Sequence, residues 1–380
     1  TYKMRIGIVC YPTFGGSGVV ATELGMALAD KGHEVHFVTY NQPVRLDFIS
    51  HDLHFHEVLM EEYPLFQYQP YELALSTKLV EVVSKYNLEI LHVHYAIPHA
   101  YAAYMAKMML KEKGINIKVV TTLHGTDITL VGSHPSYKTA VEFSINNSDV
   151  VTSVSESLKQ DTLRLFKITN EIKVVHNFID AEKYDRESLN ECQRTAVAKP
   201  EERILTHISN FRPVKRIEDV IKVFHSVKKV ISAKLLMVGE GPDKRKAELL
   251  VKKLGISDSV IFLGNSHEIQ KILCYTDVFL LPSESESFGL SALEAMAANT
   301  AIISTNTGGL PEVNVHGVTG YLSHLGDVED MAKNTLNILK NDSTLSRFKI
   351  NAKNHTSKFR LENILPVYEN IYSSVLEKDL

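Results

Sequence analysis

Short apolar runs alternate with amphipathic stretches along most of this chain. Arg5 to Cys10 is a buried-strand pattern, and Val19–Asp30 repeats apolar residues at helical spacing. Strand Glu34–Tyr40 follows, then helix Tyr71–Tyr86, strand Ile90–His94, helix Pro98–Lys113 and strand Ile117–Leu123. Helix Ser136–Asn146, strand Asp149–Val154 and helix Glu156–Phe166 continue the series. Tyr184–Glu202 is charged and irregular, which suits a boundary. A second series starts at Arg203, with strands Ile204–Ser209, Lys234–Val238, Val260–Leu263 and Val278–Leu281. Helices Ile217–Val230, Asp243–Leu254 and Glu268–Cys274 separate them, and a helix bearing Glu294, strand Ala301–Ser304 and helix Phe359–Leu376 complete it. Strand–helix alternation predicts a parallel sheet covered on both faces. The fold class is therefore α/β, with two doubly wound domains.

Composition narrows the partners more than the fold. The chain has 380 residues, 44% hydrophobic and 23% charged, enough for sizeable cores. A net charge of −4 gives no reason to expect nucleic acid or a membrane surface as partner. Cys10, Cys192 and Cys274 are odd in number and scattered, so neither a disulfide framework nor a zinc site is expected, and a reducing compartment fits. Ile6–Cys10 is too short for a signal core, and no apolar run approaches the ~18 residues of a spanning helix. The expectation is a cytoplasmic globular protein, with its oligomeric state open, a homo-oligomer included.

Candidate chemistry gathers at predicted strand ends. Between strand Val278–Leu281 and the next helix stands Pro282-Ser-Glu-Ser-Glu286-Ser-Phe288-Gly289-Leu290, and Glu294 follows two turns on. A helix start presents unpaired N–H groups and a positive dipole end, which suits a phosphate. Glu286 and Glu294 could then face sugar and ribose hydroxyls on either side of it. A solvated acidic loop is the alternative. Gly15, Gly16, Ser17 and Gly18 form a second phosphate-cradle candidate. Gly16-Ser-Gly18-Val-Val-Ala21 also matches a dinucleotide fingerprint, but five residues separate Cys10 from Gly16, and Tyr40-Asn41-Gln42 stands where an acidic residue should hold the ribose.

Other strand ends carry polar groups as well. His92 and His94 share a strand face, yet no convergent third ligand is evident, so hydrogen-bonded packing explains them better than a metal. Tyr95 ends that strand, and His124-Gly-Thr126-Asp127 ends the next, where imidazole and hydroxyl can meet a sugar. Arg212 and Lys215 follow the first strand of the second half. Two fixed cations there would neutralise a diphosphate leaving group.

The run from Glu286 to Glu294 resembles the E-x7-E segment of retaining GT-B glycosyltransferases of the glycosyltransferase 4 family. The Ser-Phe-Gly-Leu between the carboxylates takes that family's common form. Lys173-Val-Val-His-Asn-Phe-Ile-Asp180 resembles its interdomain segment, with Phe178 where Gly is usual, and Thr307-Gly-Gly-Leu-Pro-Glu312 matches the element after the E-x7-E helix. Lys215 aligns with the family lysine, whereas Asn210 occupies its usual arginine position and Arg212 lies two residues on.

The resemblance spans essentially the whole chain. It implies a GT-B fold: 1–172 plus 361–380 as the acceptor-binding domain with a C-terminal crossover helix, 173–360 as the nucleotide-sugar domain, and a catalytic cleft between them. It implies Glu286, His124, Lys215 and Arg212 as catalytic residues. Gly15, Gly16, Phe288, Gly289, Leu290 and Glu294 would bind the donor.

Within the family, the glycine-loop segment 10–20, Tyr63–Tyr68, His92–Ala100 and Thr122–Ile128 look like members that move N-acetylglucosamine from UDP-GlcNAc to the hydroxyl of L-malate in bacillithiol formation. Malate is a dianion and needs donors, for which Ser17, Tyr95, Thr126 and Lys138 are candidates. Composition and spacing do not name the acceptor. An inositol phosphate or lipid-linked acceptor, or a non-catalytic nucleotide-sugar-binding regulator, shares the donor motifs. No covalent nucleophile stands out, and no metal or other cofactor is expected, since cations and a helix dipole can neutralise the diphosphate.

Overall fold

Each half of the chain builds its own parallel sheet. A computed structural model describes residues 2–13, 15–46, 49–185 and 192–377. Phe14 of the glycine-loop segment, residues 186–191 of the expected boundary region and 378–380 of the expected crossover segment lie outside the described residues. The chain divides into one unit of 1–178 with 361–380 and a second of 179–360.

The first unit runs β1 (Arg5–Val9), α1 (Gly16–Asp30), β2 (Glu34–Thr39), β3 (Leu53–Glu57), α2 (Tyr71–Tyr86) and β4 (Ile90–His94). It continues with α3 (Tyr101–Glu112), β5 (Lys118–Leu123), α4 (Lys138–Asn146), β6 (Val150–Ser153), α5 (Glu156–Leu165) and β7 (Ile172–Val174). The strands lie in the order β3-β2-β1-β4-β5-β6-β7, with every pairing parallel. Ile6, Ile8, Val35, Phe37, Ile90 and Val120 are wholly buried. Each such side chain contributes about 1.5–3 kcal/mol relative to exposure.

In the second unit the elements are β8 (Arg203–Ile208), α6 (Ile217–Lys228), β9 (Ala233–Val238), α7 (Lys244–Lys253), β10 (Val260–Leu263), α8 (Ile269–Leu273) and β11 (Val278–Leu281). Then come α9 (Leu290–Ala297), β12 (Ala301–Thr305), α10 (Leu310–Val313), β13 (Gly320–Ser323), α11 (Val328–Leu339) and α12 (Asp342–His355). The sheet order is β10-β9-β8-β11-β12-β13, again all parallel. Helix α13 (Leu361–Glu377) returns to the first unit, where the Tyr372 hydroxyl lies 2.6 Å from His92 Nδ1 and Glu369 pairs with His33 at 2.8 Å.

Both sheets reverse strand order once, between β1 and β4 and between β8 and β11. Connections leave in opposite directions there, so a crevice opens at the carboxyl ends, where ligands of such sheets bind.

Three expectations change. The junction falls after residue 178 instead of 172, because β7 pairs in parallel with β6 and so belongs to the first sheet. Helix α1 begins at Gly16 instead of Val19, so the glycine loop is itself the first helical turn. Cys192 and Cys274 are disulfide-bonded, contrary to the expectation of unpaired thiols. Eighty-two residues separate them, and spacing at that range does not reveal pairing. Cys10 is free and buried. Among the described residues no helix is long and apolar enough to cross a membrane.

Candidate active site

At the switch point of the first sheet, the turn after β1 feeds directly into α1. A Cβ on Gly18 would lie 2.5 Å from the Thr13 carbonyl oxygen and 2.7 Å from that of Tyr11, so only glycine lets the chain fold back this closely. Gly15 caps the helix without a side-chain bond, and Gly15 and Gly16 are exposed, leaving the first N–H groups open. Ser17 in the first turn donates to the Tyr95 hydroxyl at 2.9 Å, tying α1 to the end of β4.

Tyr95 has φ 90°, a conformation that costs a bulky residue about 1–3 kcal/mol and persists only where the surroundings hold it. Its N–H donates to the Thr122 carbonyl at 2.9 Å, and its ring meets Tyr11 edge-on at 5.2 Å. His124, after β5, shares a 2.8 Å hydrogen bond between its Nε2 and His94 Nδ1, and its ring lies 5.3 Å from that of Tyr95. Burial pushes His124 down to about 3, so its imidazole is neutral near pH 7. Asp127 accepts N–H groups from Ala96 at 2.8 Å and Gly125 at 3.0 Å. Burial raises its carboxyl while those N–H groups pull the other way.

Of these groups Tyr11, Tyr95 and Asp127 border a cavity of about 530 Å³, which Tyr101, Thr126 and Tyr137 also line. The structure thus gathers Tyr95 and Thr126, with Ser17 one hydrogen bond away. Lys138 does not line it: it is exposed at the start of α4, although Tyr137 and Ala140 beside it do. His92 spends its nitrogens on Tyr372 at 2.6 Å and Thr122 at 2.7 Å, the hydrogen-bonded packing expected in place of a metal pair.

At the second switch point, one loop follows β8 and another follows β11. His207 is buried, bonded to the Leu280 carbonyl and the Ser209 hydroxyl, both at 2.8 Å, and Phe211 N–H donates to that same hydroxyl. Burial pushes His207 down to about 4. A Cβ on Gly239 or Gly241 would lie 1.8 Å from the Ser209 or 1.9 Å from the Asn210 carbonyl oxygen, so the glycine turn clamps this loop. It carries exposed Arg212 and then Lys215, whose ammonium donates to Glu286 Oε1 at 2.5 Å. Ser283 donates to the same oxygen at 2.9 Å.

Behind Glu286, Gly309 N–H donates to its carbonyl at 2.8 Å, and a Cβ on Gly308 would lie 1.9 Å from that oxygen. Thr307–Glu312 therefore supports the acidic loop from below. Gly289, at φ 96°, caps α9, with Phe288 buried before it and Leu290 opening the helix. Glu294 accepts the Tyr184 hydroxyl at 2.5 Å.

The expected residues thus fall into two groups, one at each switch point. Neither Ser283 nor Tyr184 was marked by the sequence, whereas His94 is hydrogen-bonded as expected, to His124. Ser283 sits inside the quoted acidic loop and was within reach, whereas Tyr184 lies 110 residues from its partner, with no local pattern to mark it.

Comparison with known proteins bears on what these groups do. Residues 14–183 match the family model described as Glycosyltransferase Family 4, and 190–355 match Glycosyl transferases group 1. The N-acetyl-alpha-D-glucosaminyl L-malate synthase of Bacillus anthracis is 47% identical over 378 residues, covering 99% of this chain and 98% of that protein. A solved glycosyltransferase from Rickettsia africae aligns with TM-score 0.81 at 22% identity, covering 99% of both chains. Anabaena Alr3699/HepE, solved in complex with UDP and glucose, aligns with TM-score 0.80 at 17% identity, covering 98% of this chain and 99% of that one. The two structures share the fold. The chain belongs to glycosyltransferase family 4 and is a GT-B enzyme that transfers a sugar from a nucleotide donor.

Proposed function

We propose that this enzyme moves N-acetylglucosamine from UDP-N-acetylglucosamine to the hydroxyl of L-malate, retaining the α configuration, as a first step towards bacillithiol. The observation that carries this reading is the 47% identity, over nearly the full length of both chains, to a protein named for that product.

The site geometry supports particular roles. Lys215, Arg212 and the α9 N-terminus at 288–290 neutralise the diphosphate as the C1–oxygen bond breaks. Glu286, held by Lys215 and Ser283, orients the donor sugar. Glu294 takes the ribose hydroxyls. Malate meets Ser17, Tyr95 and Thr126. The malate oxygen bonds to C1 on the face the phosphate leaves, and its proton passes to the departing phosphate oxygen. Fixed cations and helix N–H groups carry the charge, so a divalent ion is not required.

Product analysis tests this. NMR of the reaction with UDP-GlcNAc and L-malate should show an α-anomeric proton with a three-bond proton–carbon correlation to the malate carbinol carbon. A β-anomer, or a product formed only with an inositol phosphate or lipid-linked acceptor, would refute the assignment.

A further inference from the structure

The first sheet carries a second constellation far from its carboxyl ends. On β2 and β3, Glu34, His36, His54 and His56 occupy the sheet face opposite the core residues Val35, Phe37 and Leu53. His36 and His54 are register partners on adjacent parallel strands, and their rings stack with centroids 4.4 Å apart. Glu34 Oε1 already lies 2.8 Å from His36 Nε2, and His56 Nε2 lies 2.8 Å from His36 Nδ1. His54 uses Nε2 on the His51 carbonyl at 2.8 Å, leaving Nδ1 for another partner.

We propose that Glu34, His36 and His54 form a binding site for a divalent first-row transition metal, with zinc the best match, that pins edge strand β3 to β2. One ligand atom from each of the three lies within 4.8 Å of the others. Ligands around a tetrahedral zinc ion stand about 3.4 Å apart. Imidazole lone pairs lie in the ring plane, so closing the set requires the half-buried His54 ring to turn out of its stack on His36 and one His36 nitrogen to exchange its present partner for the ion, with water completing the shell. Two imidazoles and one carboxylate favour zinc, cobalt, nickel or copper over magnesium or calcium, which prefer all-oxygen ligands. His36 is wholly buried, so one ligand is fixed by packing before any ion arrives. Glu34 and His36 occupy the amino-terminal half of β2, whereas Tyr95 and His124 follow strand carboxyl ends. The site is thus separate from the glycosyl-transfer groups and does not depend on their assignment.

The full chain, stripped with chelator and freed of it, is titrated with cobalt(II). One equivalent should develop visible d–d absorption, which zinc(II) then bleaches by competition. Zinc should also raise the melting temperature of the wild type. Glu34→Gln and His54→Ala each alter a half-buried residue and should fold, as circular dichroism verifies. Each should weaken cobalt binding by more than about tenfold, while His134→Ala, an exposed control, should not. Absence of stoichiometric absorption, or binding unchanged in both variants, would overturn the proposal.

Discussion

Two tyrosine hydroxyls are hydrogen-bonded to residues proposed to bind substrate. Tyr95 accepts the Ser17 hydroxyl, so Tyr95→Phe removes one neutral hydrogen bond, worth about 1 kcal/mol. The malate KM should rise roughly fivefold while the UDP-GlcNAc KM stays put; a rise in the donor KM instead would contradict the acceptor role. Tyr184 is buried and donates to Glu294. Tyr184→Phe keeps the packing and removes one hydrogen bond to the carboxylate, and a bond to a charged group is worth about 1.5–3 kcal/mol. UDP affinity measured by calorimetry should fall about tenfold, with the melting temperature little changed. Unaltered UDP affinity would exclude Glu294 as a ribose ligand. At this scale local spacing marked Glu286 and Glu294 as candidates, and the structure places them on the loop after β11 and on α9. The sequence concealed partners joined only by the fold, including His94 with His124.

Among the elements, the glycine supports behind the acidic loop are the most exposed to test. Gly308 has φ 55°, and an added Cβ would lie 1.9 Å from the Glu286 carbonyl oxygen. Gly308→Ala should therefore cost on the order of 3 kcal/mol and lower kcat by displacing Glu286. Gly255, at φ 69° with nothing within 4 Å of an added Cβ, serves as comparison, and Gly255→Ala should cost only about 1 kcal/mol. Equal melting temperatures for the two variants would contradict the supporting role.

The strongest periodic elements were legible from sequence: α2, β4, β10 and β11 fall on their expected residues. β3 was not, because Leu53-His-Phe-His-Glu alternates with histidines whose outward face looks like loop. β13, with only Tyr321 and Leu322 as large apolar residues, was also passed over.

Across the whole molecule, buried neutral histidines should make stability depend on pH. Burial holds His92 and His124 down at about 3, and His99 and His207 at about 4, against an ordinary 6.5. Between those limits the unfolded chain binds more protons than the folded one, so stability falls as pH falls below about 6.5. Their contribution is fully present above that value and is lost progressively towards pH 3–4. Melting temperature should be nearly flat from pH 8 to 7 and decline steadily from pH 6.5 to 4.5. A flat profile through that lower range would contradict the buried neutral assignments.

The central claim is that this enzyme passes N-acetylglucosamine to L-malate while fixed protein cations and helix N–H groups, rather than a divalent ion, neutralise the diphosphate leaving group. UDP release from UDP-N-acetylglucosamine, followed with and without L-malate in excess chelator, tests it most directly. The account predicts fast release that depends on malate and is indifferent to chelator. Slow release unaffected by malate, or release abolished by chelator and restored by a divalent ion, would contradict it.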